Sequence, residues 1–269
     1  MRIPFTKAHG AKNDFVLTWA NEAPIENLPE IARAICSRNT SVGADGWMLV
    51  AAPHRGADYH GEIRLYNSDG SKAELSGNGT RCAAAFLIDA GLDAGIVRLR
   101  TAAGDRDLRL IERNGLRFLF EMAMGRPEWD PAQVRFPLDV SGRTRQVTIL
   151  NTGNPQCAVF VDDFDFDWRK LGAAIEKHPM FPERTNVSFV RVVERHILDV
   201  RFYERGAGET MSSGTGSTGA AWAAALRGLV DSPVRVQTPG GPLDLRWDDQ
   251  VYLTGPAEIV AGGVFYFGG

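Results

Sequence analysis

"LYNSDGSKAELSGNGT", Leu65–Thr80, and "FYERGAGETMSSGTGS", Phe202–Ser217, align without a gap when the chain is slid against itself by 137 residues. Tyr66 then falls on Tyr203, Asn67 on Glu204, Ser76 on Ser213, and Gly77 and Gly79 on Gly214 and Gly216. Each stretch runs from an apolar strand end through a glycine-rich loop. Each leads into an alanine-rich segment, "TRCAAAFL" or "TGAAWAAAL", with the composition of a buried helix. Nearby offsets lay "KNDFVL" over "GNPQCAVF", Asn13 on Asn154, and "DGWMLV" over "TNVSFV", Gly46 on Asn186. Landmarks recurring in the same order imply a duplicated domain.

Outside these stretches, short runs rich in Val, Ile, Phe or Tyr and bounded by Gly, Asn, Asp or Pro read as strands. They include "DFVLTW", "GWMLVAA", "EIRLYN", "GIVRLRT", "LRFLFEMAM", "QVTILN", "CAVFVDD", "VSFVRVV", "LDVRFYE" and "PVRVQT". The same reading predicts helices over Leu28–Ser37, Gly79–Ala90, Trp168–Lys177 and Gly216–Gly228. Strands and helices do not alternate regularly, so the fold class is α+β rather than a doubly wound sheet. The halves are expected at 1–125 and 126–269, with the crossover near 125–145 in the proline-bearing "MGRPEWDPAQVRFPLDVSGRT" and the final strand free to return to the first half.

Composition narrows the class. A chain of 269 residues that is 44% hydrophobic and 23% charged has the makeup of a soluble globular protein with room for two cores. A net charge of -3 with mixed signs gives no case for nucleic acid or an anionic membrane. No apolar run is long enough to span a bilayer, and the start lacks the apolar block of a signal peptide. Cys36, Cys82 and Cys157 are too few and scattered for a disulfide framework. A reduced, cytoplasmic protein is expected, and no His/Cys/Asp cluster has metal-ligand spacing.

A glycine-rich helix entrance lets a ligand approach the backbone closely. Its first-turn N–H groups lack helical partners and carry partial positive charge, so they suit a carboxylate. A lone Ser-Gly step is an ordinary N-cap; two copies with matching polar flanks point further. Two such entrances facing one ligand would put Ser76 and Ser213 on opposite faces of one carbon, the arrangement that stereoinversion without a cofactor needs. Neither stretch carries a nucleotide-binding glycine pattern.

With "HGAKNDF", "GADG", "NSDGSKAELSGNGTRCAA", "NTGNPQCAV", "FPERTNVSFV", "ERGAGETMSSGTGS" and "TPGGPL" in order, the sequence resembles the diaminopimelate epimerase family of cofactor-independent isomerases. The resemblance spans almost the whole chain. It implies two similar halves, each a barrel-like, mostly antiparallel sheet around a central helix, related by a pseudo-twofold with the site in the cleft. It implies inversion of the α-carbon of LL-diaminopimelate to the meso form, a step of lysine and peptidoglycan biosynthesis. No cofactor or metal is implied; the partner expected is an amino-acid substrate, with a homodimer left open.

Residue by residue, the resemblance gives Gly77, Asn78, Gly214 and Thr215 the carboxylate of the reacting centre. Asn13, Asn67, Asn154, Asn186, Glu204 and Arg205 match substrate-binding positions, with Arg205 and the asparagines on the distant carboxylate and Glu204 toward the distant ammonium. Ser76 and Ser213 stand at the acid/base positions, where the family carries cysteines, and Gln156 stands where histidine is common. A serine hydroxyl is a far weaker acid than a thiol and ordinarily acts with a neighbouring base. An active isomerase and a non-catalytic amino-acid-binding homologue are therefore both open, as is an elimination on the same scaffold.

Overall fold

In the computed structural model, which describes residues 1–268, the chain falls into two compact units. The first comprises Met1–Met122 and the chain from Gly255 onward; the second is Ala123–Thr254.

In the first unit the elements are β1 (Arg2–Gly10), β2 (Asn13–Trp19), α1 (Leu28–Cys36), β3 (Gly46–Ala51), β4 (Gly61–Asn67), β5 (Lys72–Ala73), α2 (Gly77–Asp89), β6 (Ile96–Thr101), β7 (Gly104–Asn114) and β8 (Arg117–Gly125), whose end runs on into the second unit. The second holds β9 (Glu128–Trp129), a 3-10 turn (Pro131–Gln133), β10 (Phe136–Val140), β11 (Arg143–Asn151), β12 (Pro155–Phe160), α3 (Trp168–Glu176), β13 (Asn186–Glu194), β14 (Ile197–Glu204), β15 (Gly208–Thr210), α4 (Gly214–Leu226), β16 (Val234–Gln237) and β17 (Leu243–Trp247). A long last strand, β18 (Val251–Tyr266), begins in the second unit and ends in the first.

Pairing in the first unit runs β1–β2–β3–β4–β6–β7–β8, and β18 pairs with both β8 and β1, closing a ring of eight strands. Closure leaves this sheet without a free edge among those strands. The second unit repeats the order as β11–β12–β13–β14–β16–β17–β18, with β10 and β9 on the far side of β11. Parallel pairs fall at equivalent places: β2–β3 and β4–β6, then β12–β13 and β14–β16. Parallel neighbours need a long crossover, and each of these four pairs is bridged by one of the four helices.

Those helices are of two kinds. α1 packs Ile31, Ala32, Ile35 and Cys36 against Ile3, Val16, Trp47 and Leu49, and leaves its other face to solvent. α3 does likewise with Leu171 and Ile175 against Val159, Val187 and Phe189. α2 is different: every residue from Gly77 to Ile88 is buried. α4 is buried over most of its length, from Gly214 to Ala221 and again at Ala223 and Ala224. A helix wrapped on all sides cannot be amphipathic, hence its alanines. Strands lying between an inner and an outer helix bury both faces; Phe15 touches α2 while Val16 touches α1, so "DFVLTW" reads as a continuous apolar run.

Some expectations shift. α2 and α4 begin at Gly77 and Gly214, two residues earlier than the sequence reading placed them. Each serine caps its helix directly, so the glycines lie inside the first turn rather than before it. β7, "GDRDLRLIERN", went unread because most of its residues are exposed and charged, with Leu108 the buried anchor. The crossover segment contains β9, the 3-10 turn and β10. Trp222 lies only half-buried, packed edge-on against Trp247 at 5.9 Å between ring centroids.

Candidate active site

The two serines have nearly the same local geometry. Ser76 has φ -131 and ψ 117, Ser213 φ -139 and ψ 124, both extended. Ser76 Oγ accepts the Gly79 N–H at 3.1 Å, and Ser213 Oγ accepts the Gly216 N–H at 3.0 Å. Each hydroxyl therefore sits at the positive end of a helix, one lone pair engaged by a backbone donor and its own proton free to be given elsewhere. Among the described residues, no titratable side chain hydrogen-bonds either Oγ.

Close packing explains the glycines of the loops. A Cβ on Gly79 would lie 2.7 Å from Met48 Cε. On Gly216 it would lie 2.8 Å from the Phe202 ring and 2.9 Å from Ser213 Oγ. Helix, strand and cap are thereby pressed together at the residue that donates to the serine.

In the first unit, Asn13 opens β2, Asn67 ends β4 and Asn78 sits in the first turn of α2. Gly46 of β3 pairs with both Phe15 and Asn67, which fixes the strand ends in register. Asn78 Nδ2 donates to Asn13 Oδ1 at 3.1 Å. Asn67 turns instead toward its own loop, donating to Ser71 Oγ at 3.0 Å. Asn13 Nδ2 donates to Asp45 Oδ2 at 2.6 Å, and Asp45 joins Asp14, Arg38 and Lys7 in a charged cluster. Burial opposes the charge on Asp14, but hydrogen bonds from Arg38 and Lys7 hold its carboxyl below the usual range. At Asp45 burial prevails, with the Asp14 charge adding to it against the Asn13 hydrogen bond, and the carboxyl is pushed up.

In the second unit, Asn154 precedes β12, Asn186 opens β13, and Glu204 and Arg205 follow from the end of β14. Asn154 Nδ2 reaches Thr215 Oγ1 at 3.5 Å, and Gln156 Nε2 donates to Asn154 Oδ1 at 2.6 Å. Asn186 Oδ1 accepts the Arg205 backbone N–H at 3.0 Å, while its Nδ2 donates to the Pro155 carbonyl at 3.0 Å. The Arg205 side chain donates to the Glu183 carbonyl at 3.2 Å. Buried Glu176, ion-paired to Arg184, accepts the Gly206 N–H at 3.3 Å and so pins the backbone just after Arg205.

Each unit thus gathers its own share of the residues singled out in the sequence. Sequence reasoning missed three supports. Asp45 lay in the quoted "GADG" without a role. Arg81, fully buried in α2, was signalled by a charge in an alanine-rich helix. Glu176 ends α3 and had no signal beyond being acidic. The three cysteines are buried away from both serines' hydrogen bonds, and burial pushes each thiol up to about 12.

Comparison with known proteins identifies the family. The chain matches the family "Diaminopimelate epimerase" over residues 5–129 and 148–260. It is 40% identical over 284 aligned positions to the diaminopimelate epimerase of Cupriavidus taiwanensis, covering 98% of this chain and 97% of that one. It is 38% identical to that of Nostoc punctiforme, covering 98% and 99%. Among solved structures, a hydroxyproline epimerase from Agrobacterium vitis shares the fold with a TM-score of 0.72 at 13% identity, covering 98% of this chain and 90% of that one. A PhzF-family phenazine biosynthesis protein from Bacillus anthracis does so with a TM-score of 0.72 at 14% identity, covering 99% and 100%. Matched across both units and nearly end to end, the chain belongs to the diaminopimelate epimerase family.

Proposed function

We propose that the protein inverts the α-carbon of diaminopimelate between the LL and meso forms by two-base proton transfer, with Ser76 and Ser213 at the acid/base positions. One observation carries this reading: the two serines cap equivalent helices in the same conformation, each accepting one backbone N–H. Gly77 and Asn78 with Gly214 and Thr215 supply first-turn N–H groups for the reacting carboxylate. Arg205 offers a forked donor to the distant carboxylate, helped by Asn13, Asn67, Asn154 and Asn186, and Glu204 takes the distant ammonium. One serine, as alkoxide, removes the α-proton while the other delivers its hydroxyl proton to the opposite face. The cap N–H and the helix dipole stabilise the charge on the alkoxide. They stabilise it much less than sulfur would, so turnover is slow.

A second reading is favoured by the same hydrogen-bond pattern: with no base bonded to either hydroxyl, the scaffold binds the amino acid without turning it over. Titration calorimetry with each stereoisomer, followed by chiral analysis of the recovered amino acid, separates the two. The first reading expects binding and interconversion that either Ser76→Ala or Ser213→Ala removes. Binding with no interconversion overturns it in favour of the second, and no binding overturns both.

A further inference from the structure

Arg81 has no exposed surface, and its burial pulls the guanidinium down to about 10. Among the described residues it makes no ion pair with a carboxylate. Its Nε donates to the Pro256 carbonyl at 3.0 Å, one terminal nitrogen to the Gly77 carbonyl at 3.3 Å, and the other to Asn78 Oδ1. From there the bonds run in one direction. Asn78 Nδ2 donates to Asn13 Oδ1 at 3.1 Å, and Asn13 Nδ2 donates to Asp45 Oδ2 at 2.6 Å. Asp45 is held by Arg38 at 2.6 Å and accepts the Asp14 N–H at 3.1 Å on the same oxygen that Asn13 uses.

The two ends of this relay set its sense. A guanidinium can only donate and a carboxylate can only accept. Turning either amide over would set donor against donor at one joint and lone pair against lone pair at the next. The second unit lacks such ends. Asn154 lies between Gln156 and Thr215, which can each give or accept, and Gln156 Oε1 is buried without a partner.

The geometry points to Arg81 and Asp45 as positioning residues that lock the Asn13 and Asn78 amides in one orientation, making Asn13 a hydrogen-bond donor to a ligand's carboxylate. This rests on the reading of those asparagines as substrate contacts. Once its Nδ2 has given one N–H to Asp45, the other N–H of Asn13 is the group it can offer; a flipped amide would offer an oxygen and repel an anion.

The test uses the whole chain labelled with nitrogen-15, reading the side-chain amide signals of Asn13 and Asn78 without ligand, and the affinity for meso-diaminopimelate by calorimetry. Asp45→Asn removes the acceptor-only end. In it, solvent exchange of the Asn13 amide protons should quicken and the affinity should fall, each by about tenfold. Asp45→Glu should recover part of both. Arg235→Gln, whose ion pair with Asp244 lies in the second unit outside the relay, should leave both near the wild-type values. Unchanged amide exchange in Asp45→Asn overturns the lock, whether or not affinity falls. If the wild-type protein binds no diaminopimelate, the functional reading fails while the amide signals still decide the orientation.

Discussion

In the proposed reaction Ser76 and Ser213 carry the chemistry, and their acidity sets its pace. A cysteine thiol ionises near 8.5 and lower at a helix N-terminus, whereas a serine hydroxyl is scarcely ionised at any pH the fold tolerates. Ser76→Cys with Ser213→Cys should therefore raise the rate of stereoinversion by more than tenfold, since about 1.36 kcal/mol of transition-state stabilisation already gives that factor. The pH profile should change with it. The serine protein should still be gaining rate at the alkaline limit of its stability, because its alkoxide fraction keeps rising. The cysteine variant should level off near the pKa of its first thiol. Rate measurements across pH on both proteins check this, and a variant no faster than the parent would mean that these positions do not hold the acid and base. The native thiols cannot substitute, being buried and held in the neutral form.

The helix entrances depend on glycine because cap, strand and first turn crowd together there. Gly79 and Gly216 are equivalent in the repeat, yet an added methyl meets different neighbours. At Gly79 it meets the end of Met48 at 2.7 Å, which can swing aside, and the Phe15 ring only at 3.3 Å; at Gly216 it meets the Phe202 ring at 2.8 Å and the Ser213 hydroxyl at 2.9 Å. Gly216→Ala should cost about 1–3 kcal/mol of stability as overpacking and displace the Ser213 hydroxyl. Gly79→Ala should cost less, part of it returned by the helix propensity of alanine. Denaturant melts of the two variants give the comparison, and equal costs would contradict it. At this scale the sequence was informative where chemistry constrains it. The glycine spacing marked both entrances, and the continuous apolar strands and alanine-rich helices followed from burial on every side. β7 was invisible because its exposed charges hide the period of a strand. Asp45 was invisible as a support because its bond to Asn13 spans 32 residues of sequence, whereas Arg81, bonded to Asn78 and Gly77 in its own helix, was marked only by its charge among the alanines.

In the whole molecule, the first unit is built from two separate pieces of chain. β18 from Gly255 onward sits between β1 and β8 and closes the ring of strands. A chain ending at Thr254 would leave β1 and β8 with open edges and take away the Pro256 carbonyl that receives Arg81. It should lose the cooperative unfolding of the first unit while Ala123–Thr254 keeps its secondary structure, a difference visible in hydrogen exchange measured by segment. Protection retained throughout Met1–Met122 would show that closure is dispensable. The duplication was legible because offsets that align the loops also align strands; the sequence reading left the final strand free to return to the first half, and closing the sheet is what brings it there.

The central claim, that two hydroxyls act on opposite faces of one α-carbon, is tested most directly by isotope. LL-diaminopimelate is incubated with the protein in deuterium oxide, and both stereoisomers are recovered early in the reaction. The account predicts meso product carrying deuterium at the inverted α-carbon while the remaining LL substrate keeps its hydrogen, because the proton is removed on one face and supplied on the other. Deuterium entering the recovered LL substrate as fast as the product would mean that a single base serves both faces, and no deuterium in either would mean that the serines do not move the proton at all.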